Sequence, residues 1–373
     1  MSDCLIVGGG VIGLSLAYEL ANRGQRVELV DRTIPGTEAS WAGAGILPPG
    51  PLHSAVDSLD QLRALSHKLH RTWARSLLEE TGIDTGYREC GGIYLARSQG
   101  EAAALHGLAG LFGDVGIEMN SLDAKQLSRL EPALQAVAES ARFKAAYRLP
   151  GEAQLRNPDH LRALLSVCRS LGVRIQPNVE VLRFETAAHR IDGVVTSDGS
   201  MRADRYCFAS GAWTYRLLHD LGIETGILPI RGQMVLFKCD QRPFAHVVNE
   251  GQRYLVPRDD GRVLVGSTEE EAGFDKSTTS EVLAELSELA CSIVPVLRSA
   301  VIEKSWAGLR PGSFDGIPYL GRLPPFENAF VAAGHFRSGI HLSTGSAVVM
   351  SDLICGGAPA IDLSPFSVHR SGA

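Results

Sequence analysis

The hydrophobic pattern of the chain switches between two periods from its first residues onward. A short apolar run, Leu5-Ile6-Val7, leads into a glycine-rich turn. Ile12, Leu16, Ala17 and Leu20 then recur on one helix face, Gly24 supplies a stop, and a second apolar run, Val27-Glu28-Leu29-Val30, ends at Asp31. This order predicts a βαβ unit over 3–31. Leu59, Leu62, Leu65, Leu69, Trp73 and Leu77 predict a helix over 56–80. A strand over 92–96 and helices over 101–112 and 123–130 follow. Asn157 as cap and Pro158 in the first turn open a helix that runs to Gly172. Strands over 173–175 and 179–184 come next, then a hairpin that turns at Asp198-Gly199. Tyr206-Cys207-Phe208 reads as a buried strand entering a small-residue turn that ends at Trp213, a place to border a cofactor. Residues 226–300 are strand-rich (234–237, 253–257, 262–266) and close with a helix over 279–297. A strand over 329–333 and a helix over 340–354 finish the pattern. The alternation predicts an α/β fold: a Rossmann-like dinucleotide-binding domain built from discontinuous segments (1–85, 146–225 and 301–373), with an inserted antiparallel-sheet α+β substrate domain (86–145 and 226–300).

Composition narrows the class without changing the architecture. At 373 residues the chain is long enough for two domains on a prior of about 150 residues each. With 45% hydrophobic and 21% charged residues and a net charge of −6, it is not built to coat nucleic acid, so no nucleic-acid partner is expected. Seven scattered cysteines form no C-x-x-C pair and no zinc spacing, so no metal site is expected and small buried hydrophobes are the reading. His67 and His70 are expected on a solvated helix face. No signal peptide and no membrane-length apolar run is visible, so the expectation is a cytoplasmic protein without membrane attachment.

The turn Gly8-Gly9-Gly10-Val11-Ile12-Gly13 sits between strand and helix, with an acid at the end of the next strand, which makes it a complete dinucleotide fingerprint. Gly8 allows the tight turn, Gly10 the approach of a pyrophosphate, and Gly13 the packing of helix on strand. The helix start offers free N–H groups to phosphate. Asp31 is placed for a ribose hydroxyl. The small-residue segment 36–50 reads either as a linker or as backbone lying against a cofactor.

Three further segments are more specific: Trp306-Ala307-Gly308-Leu309-Arg310-Pro311-Gly312 with Asp315-Gly316-Ile317-Pro318, Ala333-Gly334-His335-Phe336-Arg337-Ser338-Gly339-Ile340, and Tyr254-Leu255-Val256-Pro257-Arg258. With the fingerprint, they resemble the D-amino acid oxidase family, and within it the glycine oxidases, over almost the whole chain. The resemblance implies noncovalent FAD. Related sarcosine oxidases attach flavin through a late cysteine, and 306–321 contains none. It implies that Val11 and Ile12 contact the pyrophosphate and that Asp31 and Arg32 hold the adenosine side. Ala39, Ser40, Ala44, Gly45 and Ile46 would line pyrophosphate and flavin, and Val181 the adenine. His335, Phe336, Arg337, Ser338, Gly339, Ile340 and His341 would run beneath the flavin pyrimidine, where helix-start N–H groups stabilise developing negative charge. Arg310 would clamp the substrate carboxylate, with its fork matched to two oxygens, and Tyr254 would add a hydrogen bond. Arg337 would contact flavin, substrate or both.

The activity so implied is oxidation of glycine, sarcosine and small D-amino acids by hydride transfer from Cα to flavin N5, with dioxygen as acceptor and a role in thiamine biosynthesis. Positioning does the work, and no acid or base is nominated. A homotetramer would match the family. Glu269 departs from the pattern: glycine oxidases have an apolar residue there, beside the pocket. The acid would either attract a cationic substrate group or, as charge runs usually do, face solvent. Two other readings keep the fold: a D-amino acid dehydrogenase with a non-oxygen acceptor, and an oxidase of a larger N-substituted glycine, including one on a tRNA base.

Overall fold

The structure is a computed structural model, and it describes residues 1–370. Its first half runs β1 (Ser2–Val7), α1 (Val11–Asn22), β2 (Val27–Asp31), α2 (Ala39–Ala42), β3 (Ile46–Leu47), α3 (Ser58–Thr81), β4 (Gly92–Ala96), α4 (Gln99–Asp114), β5 (Asn120–Leu122), α5 (Ala124–Leu130), α6 (Gln135–Ala138), β6 (Ala145–Leu149), β7 (Ala153–Gln154), α7 (Asn157–Ser170) and β8 (Arg174–Pro177). It continues through β9 (Val181–Ala187), β10 (Arg190–Thr196), β11 (Gly199–Met201), β12 (Ala203–Phe208), α8 (Thr214–His219), β13 (Leu228–Lys238), β14 (Val247–Glu250), β15 (Arg253–Pro257), β16 (Arg262–Gly266), α9 (Ser280–Ile293), β17 (Val301–Gly312), β18 (Tyr319–Arg322), β19 (Ala329–Ala333) and α10 (Gly339–Ile354).

Two large sheets organise the molecule. The first has the order β18-β19-β12-β1-β2-β8 and is parallel except for the β18–β19 pair. One of its faces is covered by α1, α3, α7 and α10, and the other packs on the three-stranded sheet β11-β10-β9. The strand order reverses at β1, so the carboxyl ends of β1 and β12 frame the crevice where such sheets hold ligands.

The second sheet has the order β17-β13-β16-β15-β14-β4-β6-β5, antiparallel except for the parallel pair β4–β14. Its strands alternate cleanly. Val235, Phe237, Leu255, Val263, Val265, Val248 and Ile93 pack with α5, α6 and α9. Met234, Tyr254, Val256, Leu264 and Val247 face the opposite way, toward the first sheet. Period two assigns each residue to a face.

The structure revises five expectations. The helix expected over 279–297 ends at Ile293, because Pro295 cannot continue it and a 3-10 turn (Pro295–Ser299) follows. Asn157 does not cap α7: Arg156 holds the cap position, and the Asn157 amide donates to the Ser40 carbonyl at 2.7 Å. β6 and β17 belong to the second sheet, so the expected boundaries at 145/146 and 300/301 do not follow sheet membership. The inserted sheet is mixed rather than wholly antiparallel. His70 is buried, and its Nε2–H donates to the His341 carbonyl at 2.8 Å, joining α3 to α10.

Among the described residues no helix is long and apolar enough to cross a membrane, and no group of His, Cys, Asp and Glu has metal-binding geometry. All seven cysteines are free thiols.

Candidate active site

A cavity of about 470 Å³ lies between the carboxyl ends of the parallel strands and the Tyr254 face of the second sheet. Every cofactor and substrate residue nominated from sequence lines it except Gly13. Gly13 serves packing instead: a Cβ there would stand 1.9 Å from the Gly8 carbonyl oxygen. Gly8 has φ +112°, which only glycine adopts readily, and a Cβ there would meet the Ala209 carbonyl of the next parallel strand. The turn is therefore pressed against its neighbours on both sides, leaving Gly10, Val11 and Ile12 at the cavity.

Two helices begin at this cavity without a side-chain cap, α1 after Gly10 and α10 after Ser338. Neither has an acid in its first turn. Free N–H groups and the positive helix end are thus available at two points along one elongated cavity, which fits a dinucleotide with phosphates at one end and an electron-accepting ring at the other. Ser40 on α2 meets the first of these helices, accepting from the Val11 N–H at 2.9 Å. The Asp31 carboxylate accepts from Gly9 N at 2.7 Å and from Thr33 N at 2.8 Å, so it braces the phosphate turn as well as lining the cavity. Arg32 stacks over Trp213, 3.8 Å from the ring centroid. The segment 36–50 is a cavity wall rather than a free linker: Ala39, Ser40, Gly43, Ala44, Gly45 and Ile46 all line it. His335 and His341 contribute backbone. The His335 ring turns inward to Ser346 at 3.0 Å, and burial lowers both imidazoles to about 3, so they are uncharged.

The other wall comes from the second sheet. Five register pairs align Tyr94, Asn249, Tyr254, Gly266, Met234 and Trp306 in one row across six strands. Residues in such a row share a face, and Tyr94, Asn249 and Tyr254 line the cavity. Arg310 on β17 lines it too and is half-buried. Its guanidinium donates to Ser267 Oγ and to the Thr268 carbonyl, both uncharged. It lies over Gly232, where a Cβ would stand 2.2 Å from its Nη1. Tyr254 Oη reaches only Met234 Sδ, at 3.5 Å, so both groups keep capacity for a ligand.

Arg337 and Glu269 are resolved together. Arg337 donates to the Glu269 carboxylate and, at 3.1 Å, to Gln252 Oε1. Glu269 does not line the cavity; it is exposed, as the solvated reading expected, and its carboxylate pairs with Arg337 at the rim. The remaining motif residues anchor the walls. Arg258 donates to the Ala44 and Leu155 carbonyls, tying the second sheet to the cavity-lining segment. Asp315 forms a two-point ion pair with Arg370 near the end of the chain.

Sequence reasoning missed three neighbours on this wall: Tyr94, Glu152 and Asn249. Glu152 is fully buried in the turn between β6 and β7 and accepts from Tyr94 Oη at 2.6 Å and Asn249 Nδ2 at 3.1 Å. Burial raises its carboxyl to about 7. The one signal in the sequence was an acid in a Pro-Gly turn between two short strands.

Comparison with known proteins agrees with this geometry. The family model described as FAD dependent oxidoreductase (DAO) matches residues 3–353. A glycine oxidase of Pseudomonas putida is 35% identical over 364 residues, 97% of each chain. The crystal structure of glycine oxidase from Geobacillus kaustophilus superposes with a TM-score of 0.93 at 32% identity, covering 100% of this chain and 99% of that one. That of iminodiacetate oxidase from Chelativorans sp. BNC1 superposes with a TM-score of 0.86 at 26% identity, covering 98% of both.

Proposed function

The chain belongs to the FAD dependent oxidoreductase (DAO) family, and on that premise we propose that it oxidises glycine and related small amines such as sarcosine and small D-amino acids. One observation carries the substrate class. Arg310, half-buried at the cavity and bonded only to neutral partners, presents a guanidinium fork with no carboxylate of its own. An α-amino acid brings that carboxylate.

FAD, when bound, supplies a two-electron acceptor that dioxygen reoxidises to hydrogen peroxide. The uncapped starts of α1 and α10 would hold its phosphates and its flavin ring, with Asp31 and Arg32 on the adenosine side and Val181 near the adenine. No cysteine lines the cavity, which favours noncovalent binding. The protein's share of the chemistry is position. Arg310 takes the substrate carboxylate in two hydrogen bonds, Tyr254 adds a third, and the carboxylate so fixed leaves Cα one orientation toward the flavin. Met234 and Trp306 pack behind Tyr254 and support the wall that it forms. Arg337, paired with Glu269, shapes the entrance. The imine leaves for hydrolysis or for the thiamine pathway.

Anaerobic titration of the yellow holoenzyme with glycine, sarcosine, D-alanine and D-proline tests this reading. Bleaching of the flavin by glycine or sarcosine, with colour restored by air, is the expected result. Bleaching that air does not reverse would favour a dehydrogenase, and no bleaching by any of the four would reject the small-amine assignment. Arg310→Ala should keep its flavin and raise the KM for glycine about a hundredfold, since losing one partner of a desolvated charge pair costs about 2–5 kcal/mol. Unchanged glycine kinetics in that variant would remove Arg310 from the site.

A further inference from the structure

Arg258, the last residue of the Tyr254–Arg258 motif, is a half-buried cation just past the end of β15. Its guanidinium donates to three neutral oxygens: Gln154 Oε1 at 2.7 Å, the Leu155 carbonyl at 2.9 Å and the Ala44 carbonyl at 2.7 Å. The Gln154 amide in turn donates to Cys90 Sγ at 3.4 Å, which turns its oxygen toward Arg258. The acids around this cation are already paired, Asp260 with Arg156 and Arg262, Asp159 with Arg156 and Arg162. Burial raises the Cys90 thiol and keeps it neutral. Desolvation, reinforced by Arg156, lowers the Arg258 guanidinium to about 10, so it is charged at neutral pH. A neutral amide can bridge two carbonyls, so tying chain segments together does not call for a charge whose desolvation is costly.

A single peptide group separates this charge from the cavity. Arg258 does not line the cavity, whereas Ala44 and Gly45 do. The Ala44–Gly45 peptide is trans, so its carbonyl and its N–H point in opposite directions. With the carbonyl held on Arg258, the Gly45 N–H points away from the cation. Among the described residues it donates to no acceptor. The rest of Gly45 is committed: its carbonyl accepts from Leu155 N at 2.8 Å, and its φ of +73° turns it so that a Cβ would collide with the Leu155 carbonyl oxygen. The free N–H is left for the cavity. This stretch of wall stands at the substrate end. Ala44 and Ile46 pack with Met234, Tyr254 and Trp306, and Trp306 Nε1 donates to the Ala42 carbonyl at 3.1 Å. The peptide therefore faces the part of the cavity shared with Tyr254 and Arg310, where a ring that takes a hydride from substrate Cα has to lie.

Resting on the flavin-dependent oxidation proposed above, we propose that Arg258 is a positioning residue for electron transfer: its fixed charge acts through the Ala44–Gly45 peptide, which presents the Gly45 N–H to the flavin ring as a strengthened donor. A hydrogen bond to the carbonyl polarises the peptide and strengthens its N–H, and the guanidinium adds a positive potential behind a wall that excludes screening water. A hydride leaving Cα carries two electrons and one proton. It leaves a cationic iminium on the substrate and adds one negative charge to an initially neutral ring. A donor and a cation fixed in advance favour that charged product over the neutral starting ring, and differential stabilisation of this kind assists the transfer. The effect falls on the reduction potential and not on substrate recognition, which separates the role of Arg258 from that of Arg310.

The test neutralises the cation in two ways. Arg258→Gln removes the charge and keeps an amide that can donate to Ala44. Gln154→Glu leaves Arg258 and its ties to Ala44 and Leu155 in place and sets a carboxylate of nearly the same shape at its third partner, held ionised by the guanidinium. The holoenzymes are titrated at pH 7 with sulfite, which adds to oxidised flavin and leaves negative charge on the ring without any substrate, and their flavin midpoint potentials are measured. Both variants should retain flavin and bind glycolate, a carboxylate probe of Arg310, as wild type does. Both should bind sulfite about tenfold more weakly, with the midpoint potential lower by about 30 mV, the two-electron equivalent of that factor. Wild-type sulfite affinity and potential in Gln154→Glu would overturn the proposal, because the charge would then have no bearing on the flavin. So would a loss confined to Arg258→Gln, which marks a tie and not a charge. Should Arg258→Gln lose its flavin, the Gln154→Glu comparison decides by itself. None of these titrations uses an amine. A wild-type flavin that sulfite and chemical reductants titrate normally but that glycine, sarcosine and D-alanine do not bleach would defeat the small-amine reading and leave the role of Arg258 standing.

Discussion

The two walls of the cavity are built by opposite strategies. The phosphate wall is one short stretch of chain, Gly8 to Gly13, whose shape is set by residues in contact with their near neighbours: Gly13 against the Gly8 carbonyl, Gly9 N on Asp31. The substrate wall has no such stretch. Tyr94, Asn249 and Tyr254 come from three separate strands and lie side by side only because the register of the second sheet aligns them, while Glu152 and Arg310 reach the same cavity from a turn and from β17. A local turn serves a common chemical group, phosphate, and tolerates no change. A cross-strand row can exchange one residue at a time and so can change specificity without disturbing the cofactor.

The comparison is broken most severely at the phosphate wall. Gly13→Ala places a Cβ against backbone that cannot move aside, so purified protein should be essentially flavin-free; a normal ratio of flavin to protein absorbance would show that the turn is looser than described.

A difference in stability comes next. His70, His160, His335 and His341 all lie on the parallel-sheet side, and burial lowers them to about 4, 3, 3 and 3. Unfolded, each returns to about 6.5. Between these values the unfolded chain binds protons that the folded chain refuses, so stability should fall steeply as pH drops from 6.5 toward 4 and should be fully present above 6.5. Glu152 acts in the opposite sense. Its folded carboxyl stands near 7, above its unfolded value, so its contribution weakens as pH rises through 4.5 to 7. Urea midpoints across pH 4 to 8 should show the histidine loss in the acid arm; a flat acid arm would contradict the burial of these rings.

The smallest effect is confined to the substrate wall. Gly232→Ala inserts a methyl where the Arg310 guanidinium lies. Flavin content should stay normal while the KM for glycine rises about tenfold, because the fork shifts by a fraction of its hydrogen-bond length. Loss of flavin in this variant would mean that the two walls are not separable.

The same contrast explains what could be read in advance. The βαβ unit, the helix over Ser58–Thr81 and the fingerprint were legible because period and turn chemistry are local properties. Arg310 and Tyr254 were reached only through motif resemblance. Nothing local distinguishes Arg310 from Arg262, which the structure spends on ion pairs with Asp260 and Glu303. Glu269 was rightly read as facing solvent, but its pairing with Arg337 was not legible because that residue is 68 positions away. His70 was read as surface because the carbonyl that receives it lies on α10, 271 positions on.

By itself, then, the chain determined the order of its elements, the phosphate turn and the period-two strands whose two faces are chemically different. Those depend on backbone propensity and on side-chain spacing within a few residues. Tertiary structure alone decided which strand face became a cavity wall and which charges found partners. It also gave Arg310 and Glu152, at the same cavity, only neutral partners. Pairing and burial depend on distances between segments, and no local spacing encodes them.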